Sequence, residues 1–122
     1  MPFVRLETSV ALPAAQRLGV LRAVIACTAE HLAVPAQACR AAYDVIDRND
    51  RVIGTGTNEP WTMIFAHMKS GRTPAVKAAF TTALFDLLAA QLSVPRSSLR
   101  ILITDYVAED WNNGGDAEPT LR

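Results

Sequence analysis

His31-Leu32-Ala33-Val34-Pro35 and Gln91-Leu92-Ser93-Val94-Pro95 are one phrase written twice, 60 residues apart. At the same offset Arg40 falls on Arg100. Self-similarity at a fixed spacing sets the unit of architecture, and this spacing is about one βαβ motif long. Working outward, a helical pattern precedes each phrase. From Pro13 to Leu32, apolar residues recur at Leu18, Leu21, Ile25, Ala29 and Leu32, with Gln16, Arg17, Arg22 and Glu30 between them. From Pro74 to Leu92, the recurring set is Val76, Phe80, Leu84, Leu87 and Leu88, with Lys77, Thr81 and Asp86 elsewhere. Pro13 and Pro74 stand near helix starts, where a missing amide hydrogen costs nothing. Pro35 and Pro95 stand just past the helix ends.

Strands are expected on either side of each helix: Pro2 to Thr8, about Cys39 to Ile46, Trp61 to Met68, and Leu99 to Tyr106. The expected fold is therefore α/β (α+β), a single domain over residues 1–122 made of a first βαβ unit, 1–57, and a second, 58–122. Arg48-Asn49-Asp50 reads as a turn and Arg51-Val52-Ile53 as a short extra strand, followed by the linker Gly54-Thr55-Gly56-Thr57. Asn113-Gly114 signals a C-terminal hairpin. Right-handed crossovers put both helices on one face of a four-stranded sheet. The other face is left uncovered, and a strand reading Ile101-Leu102-Ile103 predicts that it packs against copies of the chain.

Twelve acidic residues balance twelve basic ones among 122, so no global field favours nucleic acid or an anionic membrane. No apolar run of membrane-crossing length is expected, and no secretory leader pattern opens the chain, which makes the cytoplasm the expected compartment. Cys27 and Cys39 lack a Cys-x-x-Cys spacing and, with two distant histidines, make a poor zinc set. They read as buried free thiols, and no metal or cofactor is expected.

Pro2 follows Met1 directly. Removal of Met1 would leave a free secondary amine able to act as a base. At the repeat offset Pro2 falls on Thr62, an ordinary strand residue, so only one half can carry that amine. After the third strand comes Lys69-Ser70-Gly71-Arg72-Thr73, where Gly71 permits a tight turn and two cations leave the strand end together, suited to a carboxylate or simply solvated. Arg40 and Arg100 each need solvent, an anionic ligand or an acidic partner such as Asp44, Asp105 or Glu109. Trp111 is a candidate pocket wall or subunit contact. Tyr43, Tyr106 and His67 read mainly as packing residues, though each can donate a proton.

The terminal proline, the duplicated unit, Gly71-Arg72-Thr73, Ser98-Leu99-Arg100-Ile101-Leu102-Ile103-Thr104, Trp111-Asn112-Asn113 and Gly114-Gly115 together resemble the tautomerase superfamily. The second half is similar to a single 4-oxalocrotonate tautomerase subunit, and the whole chain to the long, fused members, which include macrophage migration inhibitory factor. The resemblance implies a homotrimer with a catalytic amino-terminal proline, here Pro2, acting on small 2-oxo or 2-hydroxy-unsaturated carboxylates by keto–enol tautomerisation. It implies carboxylate binding by Arg72 with Lys69 beside it, an arginine contribution from either Arg40 or Arg100, a pocket wall at Trp111, and a site position at Asn113. Some groups of other members are missing. Gln37 and Ala38 stand where the decarboxylases carry an acid, and Asn113 where the dehalogenases carry a water-activating glutamate. Hydration, dehalogenation or decarboxylation is the alternative within the superfamily, and a non-catalytic ligand-binding or signalling trimer the alternative outside catalysis.

Overall fold

The computed structural model describes residues 2–56 and 59–115. Strand β1 (Phe3–Thr8) leads to helix α1 (Ala14–Leu32) and strand β2 (Arg40–Val45). Strand β3 (Thr62–Lys69) leads to helix α2 (Pro74–Leu92) and strand β4 (Leu99–Tyr106). Short 3-10 turns at Ala36–Ala38 and Arg96–Ser98 enter β2 and β4, and others at Arg48–Asp50 and Ala108–Asp110 follow them. The expected extra strand at Arg51–Ile53 does not form: among the described residues only Ile53 makes an isolated bridge. Residues 111–113 are irregular and Gly114–Gly115 form a bend, while any returning strand of the expected hairpin lies outside the described residues, as does Thr57 of the linker.

The sheet order is β2-β1-β3-β4. The outer pairs are parallel, as βαβ crossovers require. The central pair is antiparallel, from Phe3↔His67 to Thr8↔Thr62. Alternation along β1 and β3 sends Val4, Leu6, Ile64, Ala66 and Met68 to the helix-covered face, where they form one core with Val20, Val24, Phe80, Leu84 and Leu88. Fully burying each large apolar side chain of that set contributes about 1.5–3 kcal/mol.

Each helix begins and ends for local reasons. Thr73 caps α2, its Oγ1 accepting from the Val76 amide at 3.2 Å, and Pro74 occupies the first turn. Both helices end on a residue at φ 54°, Ala33 and Ser93, in the left-handed conformation that glycine usually supplies. The face that α1 buries differs from the expected one: Val20, Val24, Cys27, Thr28 and Leu32 are buried, while Leu18 is 51% exposed. Apolar residues encircle much of this helix, so period alone fixes a helix but leaves its rotation open. Thr28 is tolerated inside because its hydroxyl donates to the Val24 carbonyl at 2.7 Å.

Two further expectations need correction. Helix α2 is long and apolar enough, by length and composition, to cross a membrane. Its many alanines raise its hydropathy, and Lys77 and Asp86 are its only charges, yet Phe80, Leu84, Leu88 and Leu92 are buried in the fold. Within β4, Ile101 and Ile103 turn toward the core, and only Leu102, 53% exposed, lies on the uncovered face. That face is mixed in character. At its centre Arg5 bonds Glu7 and Asp44, both at 3.3 Å, and lies 4.4 Å from the Phe65 ring centroid.

Phe80→Ala should lower the unfolding free energy by about 3–5 kcal/mol, because the cavity would sit at the centre of the core. Urea titration checks this as a fall in midpoint with little change in slope. Ser93→Gly should instead raise stability by about 0.5–1 kcal/mol, since glycine relieves the left-handed strain while adding some unfolded-state entropy.

Candidate active site

Pro2 is buried at the start of β1, and its carbonyl accepts the Arg40 amide at 2.9 Å. Because β1 runs antiparallel to β3 with Phe3 opposite His67, Pro2 lies beside the Met68–Lys69 end of β3. The chain then turns through Gly71, whose φ of 120° is open to glycine and strained for other residues. The Ser70 amide donates to the Tyr106 carbonyl at 2.8 Å, which ties this turn to the end of β4.

Arg72 is held by two carbonyls, donating to Lys69 at 3.0 Å and to Leu32 at 3.3 Å. Leu32 is the last residue of α1, so this guanidinium also caps a helix C-terminus, where a cation is favoured. Lys69, at the end of β3, stands opposite Tyr106. Arg40 stands opposite Phe3 and donates to the carbonyls of Gln37 at 3.0 Å and Cys39 at 3.1 Å. Among the described residues neither Arg40 nor Arg100 pairs with Asp44, Asp105 or Glu109: Asp44 pairs with Arg5 and Asp105 with Lys77. Both arginines bond the carbonyls of the turn before their own strand.

Trp111 reaches this end of the sheet through a row of rings. Phe3 stacks on His67 with centroids 5.8 Å apart, His67 Nδ1 and the Tyr106 hydroxyl are 2.7 Å apart, and Trp111 meets Tyr106 edge-on at 5.3 Å. Sequence reasoning left His67 and Tyr106 as packing residues. The even spacing of His67 from Phe65 along β3 and of Tyr106 from Arg100 along β4 was the available signal, but it became decisive only with the strand order. Asn113 is exposed in the irregular segment after Trp111. Met1 lies outside the described residues, and so does the expectation of its removal.

Pro2, Lys69, Arg72, Arg40 and Trp111 therefore belong to one end of the sheet. Arg100 does not: it pairs with Met63, near the start of β3, at the opposite end. The position equivalent to Pro2 there is Thr62, whose hydroxyl bonds that of Thr8 at 2.8 Å inside the core. Both thiols are buried, and burial, with Glu30 adding to it, pushes the Cys27 thiol up, away from a reactive thiolate. Among the described residues no group of three or more His, Cys, Asp or Glu side chains could hold a metal ion.

This architecture is that of several solved structures. A fused 4-OT wild-type asymmetric trimer superposes with a TM-score of 0.86 at 24% identity, over 93% of this chain and 94% of that one. Macrophage migration inhibitory factor from Toxoplasma gondii gives 0.81 at 19% identity, over 93% and 97%. FG41 malonate semialdehyde decarboxylase inhibited by 3-bromopropiolate gives 0.78 at 24% identity, over 94% and 91%. These likenesses are of fold. No curated protein matches the sequence. The sequence profile of the tautomerase enzyme family, however, matches residues 41–114, more than half of the chain and all of β3, α2 and β4, and the chain therefore belongs to that family.

Proposed function

We propose that this protein is a keto–enol tautomerase or 1,3-isomerase of small 2-oxo or 2-hydroxy-unsaturated carboxylates, with Pro2 as its base once Met1 is removed. The observation that carries this reading is the convergence of Pro2 with Lys69 and Arg72 at one end of the β1–β3 pair. The neutral secondary amine takes a proton from the enol hydroxyl or the α-carbon and returns it to another carbon of the conjugated system. No redox partner enters, so no cofactor is needed. An ordinary α-amino group has a pKa of about 8. Burial of Pro2 and the nearby cations both favour its neutral form and lower that value.

Arg72, held by its two carbonyls, presents its remaining donors at fixed orientation, suited to a carboxylate and to charge developing on the adjacent oxygen. Lys69 adds a second cation, Trp111 a flat wall, and Arg40 is the arginine at the Pro2 end of its own chain. Arg100 serves a Pro2 only from another copy, and Asn113 only if its segment folds over the site. We further propose that units 1–57 and 58–122 form one domain and that three chains assemble, in line with the fused 4-OT trimers of the same fold. The cytoplasm remains the proposed compartment. Glu109 and Asp110, exposed in the turn before Trp111, are the carboxylates that a hydratase reading would call on.

In Met1-processed protein, activity on phenylpyruvate should rise with pH through one ionisation below the usual α-amino value, since only unprotonated Pro2 accepts a proton. Full activity in protein whose mass shows Met1 attached would overturn the mechanism. Arg72→Ala should cut kcat/KM by at least about tenfold, the loss of one charge-assisted bond, and also lower stability by about 1 kcal/mol through the α1 terminus. Kinetics combined with urea unfolding separates the two effects, and unchanged kinetics would leave Arg72 a helix cap alone.

A further inference from the structure

Tyr106 is the last residue of β4 and is tied to the candidate site at three points. Its carbonyl accepts from the Ser70 amide at 2.8 Å, which fixes it to the turn that carries Lys69 and Arg72. Its hydroxyl lies 2.7 Å from Nδ1 of His67, and its ring meets the Trp111 ring edge-on with centroids 5.3 Å apart. His67 is held in turn by Phe3, the residue after Pro2, on whose ring it stacks at an interplanar angle of 16°. The row therefore runs from the residue beside the proposed base to the proposed pocket wall.

Trp111 depends on this row for its place. Among the described residues the hydrogen bonds of its segment are local: the Asp110 amide donates to the Val107 carbonyl at 3.0 Å, the Trp111 amide to Ala108 at 3.3 Å and the Asn112 side chain to Glu109 at 3.3 Å. The ring that the indole meets among those residues is Tyr106. A tyrosine ring turns about two side-chain bonds, and a hydroxyl fixed at its far end removes much of that freedom. His67 suits this task because its bond survives a change of tautomer or charge. Neutral imidazole offers Nδ1 as acceptor or as donor, imidazolium offers it as donor, and a phenol answers either way.

We propose that His67 and Tyr106 are a positioning pair for the Pro2 end of the sheet: their hydrogen bond fixes the Tyr106 ring, and through it the angle at which Trp111 closes the substrate pocket. Neither residue takes part in proton transfer. The proposal rests on the tautomerase reading in taking this end as the site, and it adds to that reading the groups that set its wall. The wall meets the apolar part of a substrate in ground and transition state alike. Loss of the pair therefore weakens binding and not the chemical step, raising KM and leaving kcat in place.

The test uses the full-length protein and 3-phenylpropanoate, which matches phenylpyruvate without its ketone and so reports on the pocket independently of turnover. Binding is followed by NMR through the Trp111 indole N–H, assigned as the signal lost in Trp111→Phe. Tyr106→Phe, which keeps the ring and removes the hydroxyl, should weaken binding about two- to tenfold, the range for a single hydrogen bond. His67→Leu should do the same, and His67→Asn, whose side-chain amide reaches the place of Nδ1, should do so less. The double variant Tyr106→Phe/His67→Leu should bind no more weakly than either single one, since each removes the same bond. With phenylpyruvate as substrate, KM should rise by the same factor in Tyr106→Phe while kcat and the Pro2 ionisation stay as in the wild type. Unchanged affinity and KM in Tyr106→Phe, a fall in its urea midpoint alone, or no response of the Trp111 signal in the wild type would overturn the proposal and leave the tautomerase reading standing. An inactive wild type that binds 3-phenylpropanoate with the same dependence on Tyr106 would instead remove the tautomerase reading and uphold the positioning pair. Tyr106→Phe decides the matter even where His67→Leu disturbs folding.

Discussion

The antiparallel pairing of β1 with β3 is the constraint on which the rest of this molecule depends. Within it Arg5 faces Phe65, two residues separated by the repeat offset of 60, so the pair is related to itself by an approximate twofold axis at its centre. Each half then adds a parallel strand on its outer edge and a helix on the same face. Sliding the register by one residue would turn Val4, Leu6, Ile64 and Met68 out of the core, so core packing holds the register firmly. Function follows from the same lock. For the proposed function, the register is what carries Pro2, at the start of β1, to the turn that bears Lys69 and Arg72.

An approximate twofold axis gives the sheet two equivalent ends, and the sequence makes them chemically different. At one end stand Pro2, Lys69, Arg72 and Trp111; at the other the same positions hold Thr62, Ser9, Leu12 and Arg51. Thr62 spends its hydroxyl on Thr8, and the cations of the turn are absent. Arg51 turns inward onto Trp61 and donates to the Glu7 carbonyl at 3.4 Å, leaving Nε and Nη1 buried without partners. Burial lowers the pKa of that guanidinium, and Glu7 opposes the shift. The two ends of the duplicated sheet thus differ chemically, with Pro2 and the cations of the turn at one and an aromatic cleft lined by Trp61 and Arg100 at the other.

Much of this was legible in the sequence because periodicity and punctuation act locally. The two Val-Pro phrases, the prolines before each helix and the alternating strands suffice to draw six elements close to their observed bounds. Three things were not legible. The rotation of α1 depends on which of several apolar stripes meets the sheet, and Leu18 and Val20 are equally good candidates until the sheet exists. The partners of Arg40, Arg72 and Arg100 are backbone carbonyls, which every residue carries and no composition reveals. The joining of Trp111 to Phe3 through Tyr106 and His67 requires β4 to lie beside β3, a fact of strand order.

The uncovered sheet face bears on assembly differently from what its sequence suggests. At its centre lies an ion pair network, Arg5 with Glu7 and Asp44, with side chains 32%, 25% and 53% exposed. Burying that network under another chain would cost desolvation that the pairs repay only with good geometry and further hydrogen bonds. Apart from Leu18 on α1, the large exposed apolar residues among those described lie toward the margins instead: Val45 on β2, Leu102 on β4, Val52 and Ile53 after the first unit, and Val107 after the second. β2 and β4 are also the two edge strands, whose outer backbone groups are open to pairing. Copies of this chain that meet margin to face would cover the apolar residues and the open edges together while leaving Arg5, already supplied with two carboxylates and the Phe65 ring, neutralised within its own chain. The charged centre and apolar rim therefore favour a ring of copies over the stacking of one sheet face directly on another.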